Sequence, residues 1–149
     1  MGGQWEYNGG KLIADASGVE RMVKYTRTQC YPGFPTDMQS VLMAVLLTIP
    51  GKGRIREEIF EDRLKTAGEL KKLGGQIHTA GRDAWITGGE PLTGARVEAR
   101  DLRGGAALAV AALAASGTTV IGNAGFVERG YEAIDADLTA LGGRIRRIP

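Results

Sequence analysis

The chain has 149 residues, with 19 Lys plus Arg against 17 Asp plus Glu. This is one domain's worth of chain with ordinary composition for a globular protein, and the net charge of +2 marks no nucleic-acid binder. There is no apolar run of membrane-spanning length, and the first residues, which lack a basic start followed by an apolar core, are not expected to be a secretory signal. One cysteine and one histidine cannot build an internal disulfide or a zinc cluster, so a cytoplasmic protein without metal or cofactor is expected.

In chain order, Trp5–Tyr7 and Lys11–Ala14 flank Asn8-Gly9-Gly10, a hairpin signal. Met22–Thr28 reads as extended. Pro35-Thr36-Asp37 opens a helix whose apolar positions Met38, Val41, Leu42, Val45 and Leu46 recur at helical spacing, and Pro50-Gly51 closes it. Gly53–Ile59 reads as a strand. Thr66–Leu73 reads as a helix ended by Gly74-Gly75. Gln76–Ala80 and Ala84–Thr87 form a predicted hairpin, and Leu92–Val97 a further extended stretch. Leu102–Ser116 is predicted helical, Thr118–Ile121 extended, and Gly130–Leu141 helical. A last strand is expected from Arg144.

The order contains an internal repeat. Asp37 and Asp101 are 64 residues apart, as are Gly53 and Gly117. Leu73-Gly74-Gly75-Gln76-Ile77 recurs as Leu141-Gly142-Gly143-Arg144-Ile145. The predicted class is α/β (α+β): one partial domain with an extended region at 1–30, a first repeat at 31–99 and a second at 100–149. The first thirty residues contain no helix pattern and complete no third copy.

Both repeated aspartates stand at helix starts, where Asp caps free N–H groups; the same N–H groups would hold a carboxylate ionised over a cleft. Arg103 lies in the first turn of its helix, against the dipole, and Arg129 lies beside a helix start. Arg63 is a further arginine able to grip carboxylate or phosphate. His78 reads as structural, and Cys30 has no base at a useful spacing.

Four segments together resemble a known family. They are Tyr31-Pro32-Gly33-Phe34-Pro35-Thr36-Asp37-Met38-Gln39, Glu58-Ile59-Phe60-Glu61-Asp62-Arg63, Arg100-Asp101-Leu102-Arg103 and Glu128-Arg129-Gly130-Tyr131-Glu132. In order and spacing they resemble the C-terminal part of UDP-N-acetylglucosamine enolpyruvyl transferases (1-carboxyvinyltransferases). The resemblance implies βαβαββ units, of which this chain would hold two. It also implies transfer of enolpyruvate from phosphoenolpyruvate to the 3′-hydroxyl of UDP-N-acetylglucosamine, the first committed step of peptidoglycan synthesis.

By the same resemblance, Asp37 meets the sugar hydroxyl and takes its proton, and Ile59 contacts the nucleotide sugar through its backbone. Asp101 and Arg103 belong to an active-site loop, and Arg129 binds phosphoenolpyruvate. The proton-donating loop belongs to another domain, so the chain alone is expected to be inactive. Its expected partners are both substrates and either the missing N-terminal domain or a second chain, with no membrane or nucleic acid. Apolar surface left uncovered by a missing unit predicts self-association. The competing reading is a non-catalytic domain that binds a nucleotide sugar or a partner chain. The sister enzyme acting on shikimate 3-phosphate is disfavoured by the Pro-Gly-Phe-Pro-Thr-Asp stretch.

Overall fold

A computed structural model describes residues 1–148. Its strands are β1 (Gln4–Asn8), β2 (Lys11–Asp15), β3 (Tyr25–Arg27), β4 (Gly51–Arg56), β5 (Gln76–Ala80), β6 (Asp83–Gly88), β7 (Arg96–Glu98) and β8 (Val120–Gly122). Its helices are α1 (Gln39–Leu47), α2 (Thr66–Lys72), α3 (Leu102–Ala114), α4 (Gly125–Glu128) and α5 (Ile134–Ala140). The central sheet has the order β3-β4-β6-β5. Its β3 and β4 are parallel, with Tyr25 opposite Arg54, and α1 forms the crossover between them. Strands β6 and β5 then form an antiparallel hairpin on β4. The β7-α3-β8 segment repeats the parallel crossover, with Arg96 opposite Val120.

Helix α1 is packed by the sheet on one side and by α3 on another. The apolar face expected for it is therefore only part of what is covered: Leu46 is buried and Val41 and Leu42 pack against the core, but burial extends beyond that face. Met43, Ala44, Leu46 and Leu47 are buried, while Met38 is exposed and Val41, Leu42 and Val45 are only partly covered. The core joins these residues to Ile55, Leu70, Leu73 and Ile86 from the sheet and α2, and to Ala107, Leu108 and Ala111 from α3. The small residues of α3 permit close approach. A Cβ at Gly104 would meet Thr66 Oγ1 of α2 at 2.7 Å, and one at Gly105 would collide with Val127 of α4.

The repeat is visible in atomic detail at the ends of α2 and α5. Gly74 and Gly142 both have positive φ, 91° and 98°. The next glycines, Gly75 and Gly143, donate back to Leu70 O and Leu138 O. A Cβ on Gly75 would press Leu47, and one on Gly143 would press Leu113, each at 2.9 Å. The first residues carry the same signature: Gly2 has φ 108° and leads into a hairpin paired like β5–β6. Gln4 faces Asp15 as Gln76 faces Thr87, and Asn8 faces Lys11 as Ala80 faces Asp83. Residues 1–15 are thus the hairpin half of a unit, without its helices. Trp5, Leu12 and Ala14 are exposed where their counterparts Ile77, Ala84 and Ile86 are buried.

Three expectations fail for physical reasons. No strand forms among the described residues after Gly143. The counterpart segment β5 pairs only with β6, and β8 has no such neighbour to offer. The strand expected to reach Ile59 stops at Arg56, because the Ile59 and Phe60 N–H groups donate to the Glu57 side chain instead of a ladder. The helix expected over Gly130–Leu141 begins only at Ile134, and the short helix α4 precedes it.

Candidate functional site

The fold brings Asp37, Arg63 and Arg103 together from three separate elements. Asp37 lies in a single helical turn, Thr36–Met38, leading into α1; Arg63 starts the turn before α2, and Arg103 lies in the first turn of α3. Asp37 Oδ1 is 3.4 Å from Arg63 Nη1 and 2.5 Å from Arg103 Nε. The second contact is ionic, since Arg103 Nε makes no aligned hydrogen bond. The Arg103 guanidinium holds the Asp37 carboxyl below its ordinary value against the opposing effect of burial, with a smaller contribution from Arg63. In return Arg103 is raised by Asp37. The Asp37 side chain is nevertheless 58% exposed, so its carboxylate is open to a ligand.

The two repeated aspartates have diverged in role. Asp101 is a cap: its Oδ1 accepts from Arg103 N at 2.9 Å and Gly104 N at 2.8 Å. Asp37 caps nothing, for its side chain accepts no backbone N–H. The idea that helix N–H groups hold Asp37 ionised is therefore corrected. Two arginines do so, and the backbone N–H of one of them, Arg103, donates to the Asp101 cap.

Ile59 is half-buried and its N–H donates to Glu57 Oε1 at 2.8 Å. Phe60 is exposed beside it, with the Arg63 guanidinium 4.6 Å over its ring. A cleft of about 190 Å³ continues from Phe60 and Arg63 past Lys65 to Thr79 and Arg82. Arg129 is not joined to the Asp37 ion pairs. It ends α4 and lines an open groove with Asn123, Gly125 and Phe126. The adjoining Gly130 packs on Leu102, so this segment borders the start of α3.

Sequence reasoning missed the two most deeply buried carboxylates. Glu57, 1% exposed, accepts from Ile59 N, Phe60 N and Thr36 Oγ1. Glu69, 3% exposed, accepts from Lys72 Nζ at 2.6 Å, Arg100 Nη2 at 3.2 Å and Glu98 N at 3.0 Å. Burial pushes both carboxyls up, but these donors outweigh it and hold both below the ordinary glutamate value. Glu69 thereby ties α2 to β7 and to Arg100, the residue before the Asp101 cap. Among the described residues no cluster of His, Cys, Asp or Glu has metal-binding geometry, and no helix is long and apolar enough to cross a membrane.

An acidic group flanked by two arginines at the start of a helix, on repeated α/β units, is an arrangement chemically able to meet a ligand that carries both a hydroxyl and anionic groups. The family model for EPSP synthase (3-phosphoshikimate 1-carboxyvinyltransferase) matches residues 1–138, and the chain belongs to this family. Within it, the chain is similar to UDP-N-acetylglucosamine 1-carboxyvinyltransferases. It is 53% identical to that of Desulfofundulus thermocisternus over 123 residues, covering 83% of this chain and 51% of the relative. It is 43% identical to enzyme 2 of Clostridium tetani over 148 residues, covering 99% and 35%. The chain therefore spans about half, or less, of the length of these relatives.

Among solved structures, the enolpyruvyl transferase NikO from Streptomyces tendae superposes with a TM-score of 0.88 at 29% identity, over 98% of this chain and 34% of that one. EPSP synthase from Acinetobacter baumannii shares the fold, with a TM-score of 0.59 at 18% identity over 81% and 29%. The fold is the α/β enolpyruvyl-transferase type.

Proposed function

We propose that the chain supplies part of the active site of a UDP-N-acetylglucosamine 1-carboxyvinyltransferase working in the cytoplasm. The observation that carries this reading is the exposed Asp37 carboxylate, kept ionised by Arg103 and Arg63. Asp37 accepts a hydrogen bond from the sugar 3′-hydroxyl and, as the oxygen attacks phosphoenolpyruvate, takes up its proton. The Ile59 backbone orients the nucleotide sugar. Arg103 and Arg129 face the phosphate and carboxylate of phosphoenolpyruvate, with Asp101 holding Arg103 in place. Protonation of the enolpyruvyl methylene falls to a group outside this chain, so the chain alone binds without turning over. When it is completed to the length of its relatives, phosphate release from the two substrates is expected, and Asp37→Asn abolishes it. Phosphate release by the 149-residue chain alone would contradict the division of the site.

The partner is the remainder of the enzyme or a second copy. The exposed face of the β1–β2 hairpin, with Trp5 74% and Leu12 68% exposed, supports self-association of the isolated chain. Light scattering across a wide concentration range tests it, and a monomer throughout removes it. A non-catalytic nucleotide-sugar-binding domain is the competing reading. It predicts binding that no added protein converts into turnover.

A further inference from the structure

Glu57 is a buried carboxylate that the mechanism above does not use. It follows β4 and joins two segments that are 21 residues apart in sequence. Its Oε1 accepts from Ile59 N at 2.8 Å and Phe60 N at 3.0 Å, which folds the 57–60 loop over the carboxylate. Its Oε2 accepts from Thr36 Oγ1 at 2.8 Å, and Thr36 opens the turn whose next residue is Asp37. The loop is pinned from outside as well. Glu57 N donates to Arg82 O, and Glu58 N donates to Thr28 Oγ1. One side chain thus holds both the residue beside the candidate proton acceptor and the backbone of the candidate sugar contact.

We propose that Glu57 is a positioning residue, which fixes the Asp37 carboxylate and the Ile59 backbone relative to each other without touching substrate. This rests on the reading of Asp37 and Ile59 as the nucleotide-sugar contacts. A hydroxyl held by Asp37 while the same molecule meets Ile59 requires the spacing of the two to be set before binding, since misplacement by about an ångström costs on the order of a hundredfold in rate. A buried carboxylate suits this task because its bonds from neutral donors are charge-assisted and short. An amide in its place can still accept from the two N–H groups and meet the Thr36 hydroxyl as donor. Alanine can do neither.

The test uses three variants of the chain: Thr36→Val, Glu57→Ala and Glu57→Gln. Without ligand, the Asp37 side-chain carboxyl is titrated by carbon-13 NMR. The expected result is that Thr36→Val and Glu57→Ala move the Asp37 titration towards its ordinary range, and that Glu57→Gln restores it. A role confined to fold stability would lower the melting temperature and leave the Asp37 titration of the folded chain where it was. Thr36→Val is nearly isosteric, so it decides the matter even if Glu57→Ala does not fold.

The same proteins are then titrated with UDP-N-acetylglucosamine. Thr36→Val and Glu57→Ala should bind about tenfold more weakly than the parent chain, with Glu57→Gln within about threefold of it. If the parent chain binds and Thr36→Val binds equally well, the positioning role is overturned. If the parent chain shows no binding, the proposed ligand is wrong. The ligand-free titration then decides alone, and an unmoved Asp37 in Thr36→Val overturns the link between Glu57 and Asp37.

Discussion

Asp37 Oδ1 lies between two guanidinium groups, 3.4 Å from Arg63 Nη1 and 2.5 Å from Arg103 Nε, although the three residues stand at the starts of different helical segments. The Asp37 side chain is 58% exposed although the two arginines are more covered, so the ion pairs contribute little to folding and leave the carboxylate available. Asp37→Asn should therefore change the unfolding free energy by less than about 0.5 kcal/mol while removing binding of a sugar hydroxyl. Urea unfolding and a ligand titration on the same variant check the split.

The repeated aspartate should behave in the opposite way. Asp101 Oδ1 accepts from two backbone N–H groups at the start of α3, so Asp101→Ala should destabilise the chain by about 1 kcal/mol. Asp101→Asn or Asp101→Ser should recover most of this loss. Equal stability losses for Asp37→Ala and Asp101→Ala would refute the divergence of the two positions.

Glu57 and Glu69 give the fold an acid sensitivity with a defined sign. Both have folded-state pKa values below the ordinary 4.5, so the unfolded chain takes up protons first as pH falls. Their stabilising contribution is complete above the ordinary glutamate range and is lost as pH falls through the lower folded values. Thermal unfolding from neutral pH down to about pH 3 should show a steep fall at the acid end, and Glu69→Gln should flatten it. Glu69→Ala should cost about 2 kcal/mol or more at neutral pH, because it strips Lys72, Arg100 and Glu98 N of their acceptor.

Gly88 reports on the packing of the sheet against α1. A Cβ there would collide with the carbonyl oxygens of Leu46 and Ile49, which belong to backbone that cannot yield cheaply. Gly88→Ala should destabilise the chain severely, whereas Gly81→Ala, at a hairpin tip with open space, should cost only the strain of its positive φ. Similar melting temperatures for the two variants would contradict this packing.

The glycines explain why so much of the fold was legible. Each Gly-Gly pair at 74–75 and 142–143 ends a helix through a left-handed residue, a local requirement that sequence expresses directly. The candidate site was marked in the sequence by the segments around Asp37, Ile59, Asp101 and Arg129, but the side-chain arrangement within it was not. Asp37 and Asp101 look alike in sequence, and only the arrival of Arg63 and Arg103 from distant elements separates them. Glu57 and Glu69 were hidden because a glutamate is normally solvated, and the donors that permit burial include ones 21 to 31 positions away in sequence. The last strand failed because strand formation needs a neighbour, which local propensity does not report.

The most direct test of the central claim is a two-dimensional amide NMR spectrum of the chain titrated with UDP-N-acetylglucosamine. The expected spectrum has dispersed peaks, with ligand-induced shifts concentrated at Asp37, Ile59 and Arg103 and lost in Asp37→Asn. Dispersed peaks that stay in place at saturating ligand, or shifts confined to the open groove at Arg129, would contradict it.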